Sequence, residues 1–351
     1  KPICSFISEA LIRSKSTSLL QDLRDAGYES QHLSEEAALI DEENSNRDAL
    51  RPDMFSKQQE QILGTREWTN KAPIVLRQLA AELAVTDRKA SHTVRFEPPS
   101  NRNNPQADKV VVSRRKALLI PFNVPVILID ANAQPEILEQ FRDNVELVDI
   151  PVERQAVINQ FTDLTFSKYS FDTNPDQIKE VKAFIAAVAK TGETLAVASK
   201  AIRHELTGID PKDEKSTFYE GATYIHFGNL RGLNDFEGFD NVIIVGREQP
   251  PTNVLEDLAR RLWWDADNPL MFLEDAKGSK PLYKSHRTYR ASEFKAVQVG
   301  THPDRRVQLV LEQVREAESE QAIDRLRLLR PPKGQQRQVF ILSSIPLNVS
   351  V

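Results

Sequence analysis

The sequence predicts an α/β protein, in which a largely parallel sheet carries helices on both faces and an α-helical N-terminal region precedes it. Three observations predict this. Short apolar runs such as Val242-Ile243-Ile244-Val245 show no polar alternation, the pattern of strands covered on both faces. Segments of helical period separate those runs, as they do where helices link parallel strands. Up to about residue 90, apolar residues instead recur at three- and four-residue spacing, in Phe6, Leu11, Leu19, Leu20 and Leu23 and again in Ile74, Leu76, Leu79 and Leu83.

Taken in order, residues 1–108 read as a helical region with its linker and residues 109–351 as the sheet-containing domain. Asp41 to Lys57 is polar and contains Pro52, which predicts a loop between helices. The stretch Pro98-Pro99-Ser100-Asn101-Arg102-Asn103-Asn104-Pro105 predicts a linker or an exposed hairpin tip. Lys109 to Val112, Ala117 to Ile120 and Val126 to Ile129 predict strands, and Ile178 to Ala189 predicts an amphipathic helix. Strands follow at Leu195 to Ala198, Ala222 to His226 and Val242 to Val245. Helices are expected over Val254 to Leu262 and Arg306 to Leu329, and Val339 to Leu342 is a closing strand. Ligands of such sheets bind beyond the carboxyl ends of strands, where the turns at Asp130, Gly228 and Gly246 are expected.

Composition narrows the function. A hydrophobic share of 40% and a charged share of 28% are those of a globular chain, and 351 residues exceed one typical core. Mean hydropathy is -0.45, and no run reaches the roughly 18 apolar residues of a membrane span. The lone Cys4 excludes an internal disulfide and a thiolate metal site, which fits a reducing cytoplasm. The net charge of -5 gives no global basic footprint, so a nucleic-acid contact has to be local. The histidines show no metal-ligand spacing, and no metal site is expected. The start at Lys1-Pro2-Ile3-Cys4, without Met, is read as lying inside a longer protein.

The most informative stretch is Tyr224-Ile225-His226-Phe227-Gly228-Asn229-Leu230-Arg231-Gly232-Leu233-Asn234, followed by Phe239-Asp240-Asn241-Val242-Ile243-Ile244-Val245-Gly246 and Pro250. It reads as strand, Arg-Gly turn, strand. Upstream stands Asp130-Ala131-Asn132-Ala133; downstream comes Glu320-Gln321-Ala322-Ile323-Asp324-Arg325-Leu326-Arg327. In order and approximate spacing these resemble the third, fifth and sixth motifs of superfamily 2 helicases, in particular helicase-like proteins of phages and plasmids. Thr191-Gly192-Glu193-Thr194-Leu195-Ala196-Val197-Ala198-Ser199-Lys200 looks like the strand that opens the family's second motor domain, and Ser344-Ile345-Pro346-Leu347 is similar to its terminal strand. The resemblance covers roughly residues 109 to 351.

It implies a RecA-like C-terminal motor domain. Arg325, with Arg327 second, would present a guanidinium to charge developing on a γ-phosphate, a task that suits a permanent, forked cation. Arg231, Gly232 and Asn234 would bring backbone close to nucleotide or phosphodiester, and Asp130, Asn132 and Gln321 would couple nucleotide state to the track. The chain departs from the family pattern at Asp324, where Gly is usual, and in the two-residue step between the arginines. It contains no Gly-x-x-x-x-Gly-Lys-Ser/Thr loop. ATP and Mg2+ are therefore expected only in a longer protein with a first motor domain, and this chain alone is expected to be inactive.

A second signal lies in Lys280, Tyr283, Lys284, Arg287, Tyr289 and Arg290, where cations that neutralise phosphates alternate with rings that stack on bases. Single-stranded nucleic acid is the expected partner, DNA rather than RNA through the mobile-element resemblance. Blander readings compete. Arg325 and Arg327 could pair on the surface with Glu318, Glu320 or Asp324, Asp130 could cap a helix starting near Pro135, and Trp263-Trp264 could be core. A non-enzymatic, degenerate RecA-like scaffold is the rival function. A metabolite enzyme lacks any Gly-x-Gly-x-x-Gly signature.

Overall fold

The computed structural model describes residues 2–14, 17–46, 57, 71–97, 109–113, 115, 120, 124–150, 153–230, 232–275, 278–279, 281–289, 292–331 and 336–348. Its backbone clusters into two units: Lys1–Pro121 with Asp257–Met271, and Phe122–Glu256 with Phe272–Val351.

The first unit is built on helices α1 (Pro2–Ser14), α2 (Leu19–Asp25), α3 (Ser30–Asn46) and α4 (Ala72–Val85), followed by the antiparallel pair β1 (Val94–Glu97) and β2 (Lys109–Val112). The helical periodicity read from the sequence becomes one core, in which Leu11, Leu19, Leu23, Leu33, Leu79 and Val94 are buried together. Of the predicted loop from Asp41 to Lys57, only residues 41–46 and 57 are described. Residues 41–46 continue α3, because Glu42 and Glu43 are good helix formers. Glu82 on α4 is buried, and it accepts hydrogen bonds from Ser91 Oγ, from Thr93 Oγ1 at 3.0 Å and from His92 N at 2.8 Å. One carboxylate thus ties the helix to the start of β1. The predicted linker 98–105 lies outside the described residues.

The second unit contains α5 (Pro135–Leu138), β3 (Ala156–Gln160), α6 (Lys168–Thr173), α7 (Pro175–Ala189), β4 (Thr194–Ala198), α8 (Lys200–Thr207), β5 (Thr217–Tyr219), β6 (Ala222–His226) and β7 (Asn241–Val245). Helix α9 (Thr252–Leu262) crosses the boundary between the units. Then come the two-residue pair β8 (Glu274–Asp275) and β9 (Gly278–Ser279), the hairpin β10 (Tyr283–Tyr289) and β11 (Ser292–Thr301), helix α10 (Arg305–Asp324) and β12 (Arg337–Leu342).

The six-stranded sheet has the order β3-β12-β7-β4-β6-β5, parallel except for the edge strand β5. Every residue of β4 and β7 is buried, as the unbroken apolar runs require. Side chains alternate between faces. Leu195, Val197, Val242, Ile244, Val339 and Ile341 face one core with Ala322 and Ile323 of α10. Ala196, Ala198, Ile243, Val245 and Leu342 face the other, with Val181 and Ile185 of α7 and Ile202 of α8.

One sequence expectation fails here. Val126 to Ile129 forms no strand; it runs unpaired, with Ile127 88% and Ile129 97% exposed. An apolar run of strand length forms a strand only when a ladder accepts its backbone, and no described strand reaches it. The strand expected at Val339 to Leu342 is present as β12, and it lies between β3 and β7. The predicted strand at Ala117 to Ile120 lies outside the described residues save for Ile120.

Candidate functional site

Parallel register lines up the carboxyl ends of four strands. His226 of β6 stands beside Ala198 of β4, Ala198 beside Val245 of β7, and Val245 beside Leu342 of β12. The residues that follow form a row of polar and charged groups, namely Ser199-Lys200, Gly228, Gly246-Arg247-Glu248 and Ser343. After β4 the chain enters α8 on one face of the sheet, whereas after β6 it crosses the opposite face through Leu230 and Phe236. Connections that diverge from adjacent strands leave a crevice between their ends, the usual ligand position in such sheets.

That crevice is densely charged. Ser199 Oγ caps α8 by accepting from Ile202 N at 3.4 Å. Lys200 Nζ donates to Glu214 Oε1, and His226 Nε2 lies 2.7 Å from Glu214 Oε2. The other ring nitrogen of the buried His226 lies 2.6 Å from Phe227 O. The hydrogen bonds from Lys200 and His226 hold the Glu214 carboxyl below its usual range. Gly228 N approaches Glu318 Oε2 at 3.3 Å. Burial, then the neighbouring Glu318, pushes the Glu248 carboxyl up. Burial, then Arg315, lowers the Arg247 guanidinium.

The residues singled out in the sequence gather along α10. Arg287 Nη1 donates to Glu316 at 2.6 Å and lies 3.7 Å from Glu312. Asn132 Nδ2 donates to Glu320 at 2.6 Å, while Asn132 N bonds the Asp130 carboxylate at 2.8 Å in a local turn. Burial raises the Glu320 carboxyl. Gln321, half-buried, follows on the same helix. Beyond the helix end, Arg325 Nη1 donates to Leu233 O at 2.9 Å and Arg327 Nη2 to Asn234 Oδ1 at 2.6 Å. Both arginines therefore meet the segment that follows Gly232, whose φ of 76° lies in the left-handed region open to glycine. Arg231 itself lies outside the described residues.

These arginines stand at the amino edge of the sheet. The carbonyl of Leu326 accepts from Arg337, the first residue of β12, and that of Leu328 from Gln155 N at 2.9 Å, just before β3. Asp324 takes Arg154 in a two-point ion pair at 2.7 and 2.9 Å, so this carboxylate is not the partner of Arg325. Burial, then the charge of Arg327, lowers the Arg325 guanidinium.

The aromatic hairpin is a correction in part. Tyr289 is buried, and its hydroxyl donates to Ser344 O at 2.8 Å, so its ring is not offered to a base. Period-two geometry turns Ser285, Arg287 and Tyr289 inward, and it leaves Lys284, His286 and Thr288 exposed, together with Tyr283. Lys280 and Arg290 lie outside the described residues. Trp263 is buried, in keeping with the core reading.

Sequence reasoning missed Lys200, Glu214 and Arg247. Lys200 and Arg247 carried a usable signal, since each stands two residues past the end of an apolar strand. Glu214 carried none, because it arrives through the loop 208–216. Buried Arg203 holds that loop by donating to the carbonyls of Asp210, Asp213 and Lys215. Among the described residues no group of three or more His, Cys, Asp or Glu is placed to hold a metal, and no helix is long and apolar enough to cross a membrane. No family model, no curated protein and no solved structure matches the chain.

Proposed function

We propose that this chain is a RecA-like C-terminal motor domain of an ATP-dependent helicase or translocase. It binds single-stranded nucleic acid, DNA in the first instance, and contributes Arg325 to an ATP site completed by a first motor domain. The observation that supports this most is the course of α10. One rigid helix contacts the hairpin through Glu316, the Asn132 turn through Glu320 and the carboxyl-edge turn through Glu318, and Arg325 and Arg327 follow its end. A helix that touches a track-facing edge and ends in a cation pair is a suitable lever between strand binding and nucleotide state. ATP with Mg2+ belongs to the completed site. The strand would run over the carboxyl edge, meeting Lys200 and Arg247, with Tyr283 and Lys284 of the hairpin as further contacts.

A second reading, a non-enzymatic degenerate RecA-like scaffold, draws on the fact that both arginines already bond within the chain. Two measurements separate the readings. The chain should bind fluorescein-labelled oligo(dT) with an affinity that falls steeply with salt, and Lys200→Ala with Lys284→Ala should weaken it and flatten the salt slope by about 2. Salt-independent or absent binding rejects the track. In the protein containing the first motor domain, Arg325→Ala should cut ATP turnover by about 10³-fold while nucleotide binding persists. Unchanged turnover favours the scaffold.

A further inference from the structure

We infer that the crevice between the carboxyl ends of β4 and β6 is an oxyanion site for a phosphodiester of the bound strand, and that Glu214 of the same chain occupies it as a built-in competitor. This rests on the carboxyl-edge binding proposed above and adds its regulation. Two cationic or donor groups of the crevice, Lys200 Nζ and His226 Nε2, converge on the two oxygens of one carboxylate. Two donors held on different strand ends and aimed at one anion are the arrangement a phosphate oxygen pair requires.

Glu214 is dispensable for holding its own loop. The backbone of 208–216 is fixed by Arg203 at three carbonyls and by Asn229 Nδ2, which donates to Glu214 O. Further bonds lie within the loop, from Lys212 N to Asp210 and from Lys215 N to Asp213 at 2.8 and 2.9 Å. The Glu214 side chain is 60% exposed, so it can rotate into solvent while the loop stays in place. His226, 3% exposed, meets that side chain through Nε2 at 2.7 Å. Other charges also face the crevice. Glu248 and Glu318 oppose an incoming anion. Exchange of one anion for another keeps Lys200 and His226 paired throughout, so strand binding here costs no unpaired buried donor.

The test is anisotropy of fluorescein-labelled oligo(dT) with the 351-residue chain, as wild type, Glu214→Gln, Glu214→Ala and Glu214→Ala with Lys200→Met. Removing the competitor should tighten binding about 1.5- to fivefold, the range of an exposed ion pair, with the salt slope of wild type kept. Lys200→Met should abolish the gain. Wild-type binding that Glu214→Ala leaves unchanged or weakens overturns the competitor. Absence of salt-dependent binding in both wild type and Glu214→Ala overturns the carboxyl-edge reading itself. A gain seen for competing inorganic phosphate and not for the oligonucleotide overturns the strand as occupant. Thermal melts by circular dichroism verify that each variant is folded, which the exposure of Glu214 leads us to expect.

Discussion

Glu82→Ala should unfold the first unit well before the second. The buried carboxylate accepts from Thr93 Oγ1 at 3.0 Å, from His92 N at 2.8 Å and from Ser91 Oγ, and Arg88 lies 3.8 Å away. Truncation removes the acceptor of the His92 amide and strands the buried Thr93 hydroxyl, at about 1–3 kcal/mol for each hydrogen bond lost. Ser91 loses less, because its oxygen still accepts from Val94 N at 2.8 Å and its hydroxyl can turn. Against this stands the relief of an expensive burial, visible in the upward shift of the Glu82 carboxyl, whose largest cause is desolvation. The net expectation is a loss of about 2–4 kcal/mol. Tryptophan emission reports the change selectively, since Trp263 and Trp264 belong to the first unit and the second holds no tryptophan. In urea, the tryptophan transition should move to lower concentration while the far-ultraviolet signal of the sheet unit stays. A loss below about 1 kcal/mol would refute the reasoning.

The pH dependence follows from the same group. Its folded pKa lies above the ordinary 4.5, so the folded state holds the proton more tightly than the unfolded chain. That contribution is complete below about 4.5 and fades as pH rises through the folded value. Relative to Glu82→Gln, wild type should therefore gain stability as pH falls from 7 towards 4.5. A flat difference between the two proteins over that window would contradict the assignment.

Two further outcomes are expected. Gly246→Ala should cost about 2–4 kcal/mol in urea unfolding of the sheet unit, because a Cβ there meets the carbonyl oxygen of Phe166 and the φ of 74° already disfavours a side chain; full retention of stability would show that the turn can open. Tyr289→Phe should lose about 1 kcal/mol with the Ser344 hydrogen bond and leave oligo(dT) affinity unaltered, and a fall in affinity would return Tyr289 to the strand interface.

The buried strands β4 and β7 were legible because burial on both faces leaves an unmistakable run of apolar residues. The same rule misread Val126 to Ile129, since composition reports what a segment could pair with and not whether a ladder is there. The position of β12 was not legible either: strand order depends on which face each crossover takes, and no local signal encodes that. The association of Arg325 and Arg327 with the turn after Gly232 could be anticipated only through motif resemblance. Glu214 could not be anticipated at all, because a loop held by a buried arginine carries it to the strand ends. Tyr289 shows the limit of alternation read without register: one residue of phase decides whether a ring meets solvent or core.

The insertion of β12 between β3 and β7 has a consequence for how the protein is made. Strand β3 has β12 as its one ladder among the described residues, in the register Arg337↔Ala156. As the chain leaves the ribosome, β4, β6 and β7 can assemble with the intervening helix as soon as they emerge. Meanwhile β3, synthesised before all of them, waits without a neighbour, and β7 stays an open edge. Only when residues 337–342 appear, well after the other strands, does the sheet join. Such late, sequence-distant pairing slows folding and prolongs the exposure of two sheet edges. A nascent chain of this kind gains most from a chaperone that shields those edges until the last strand arrives.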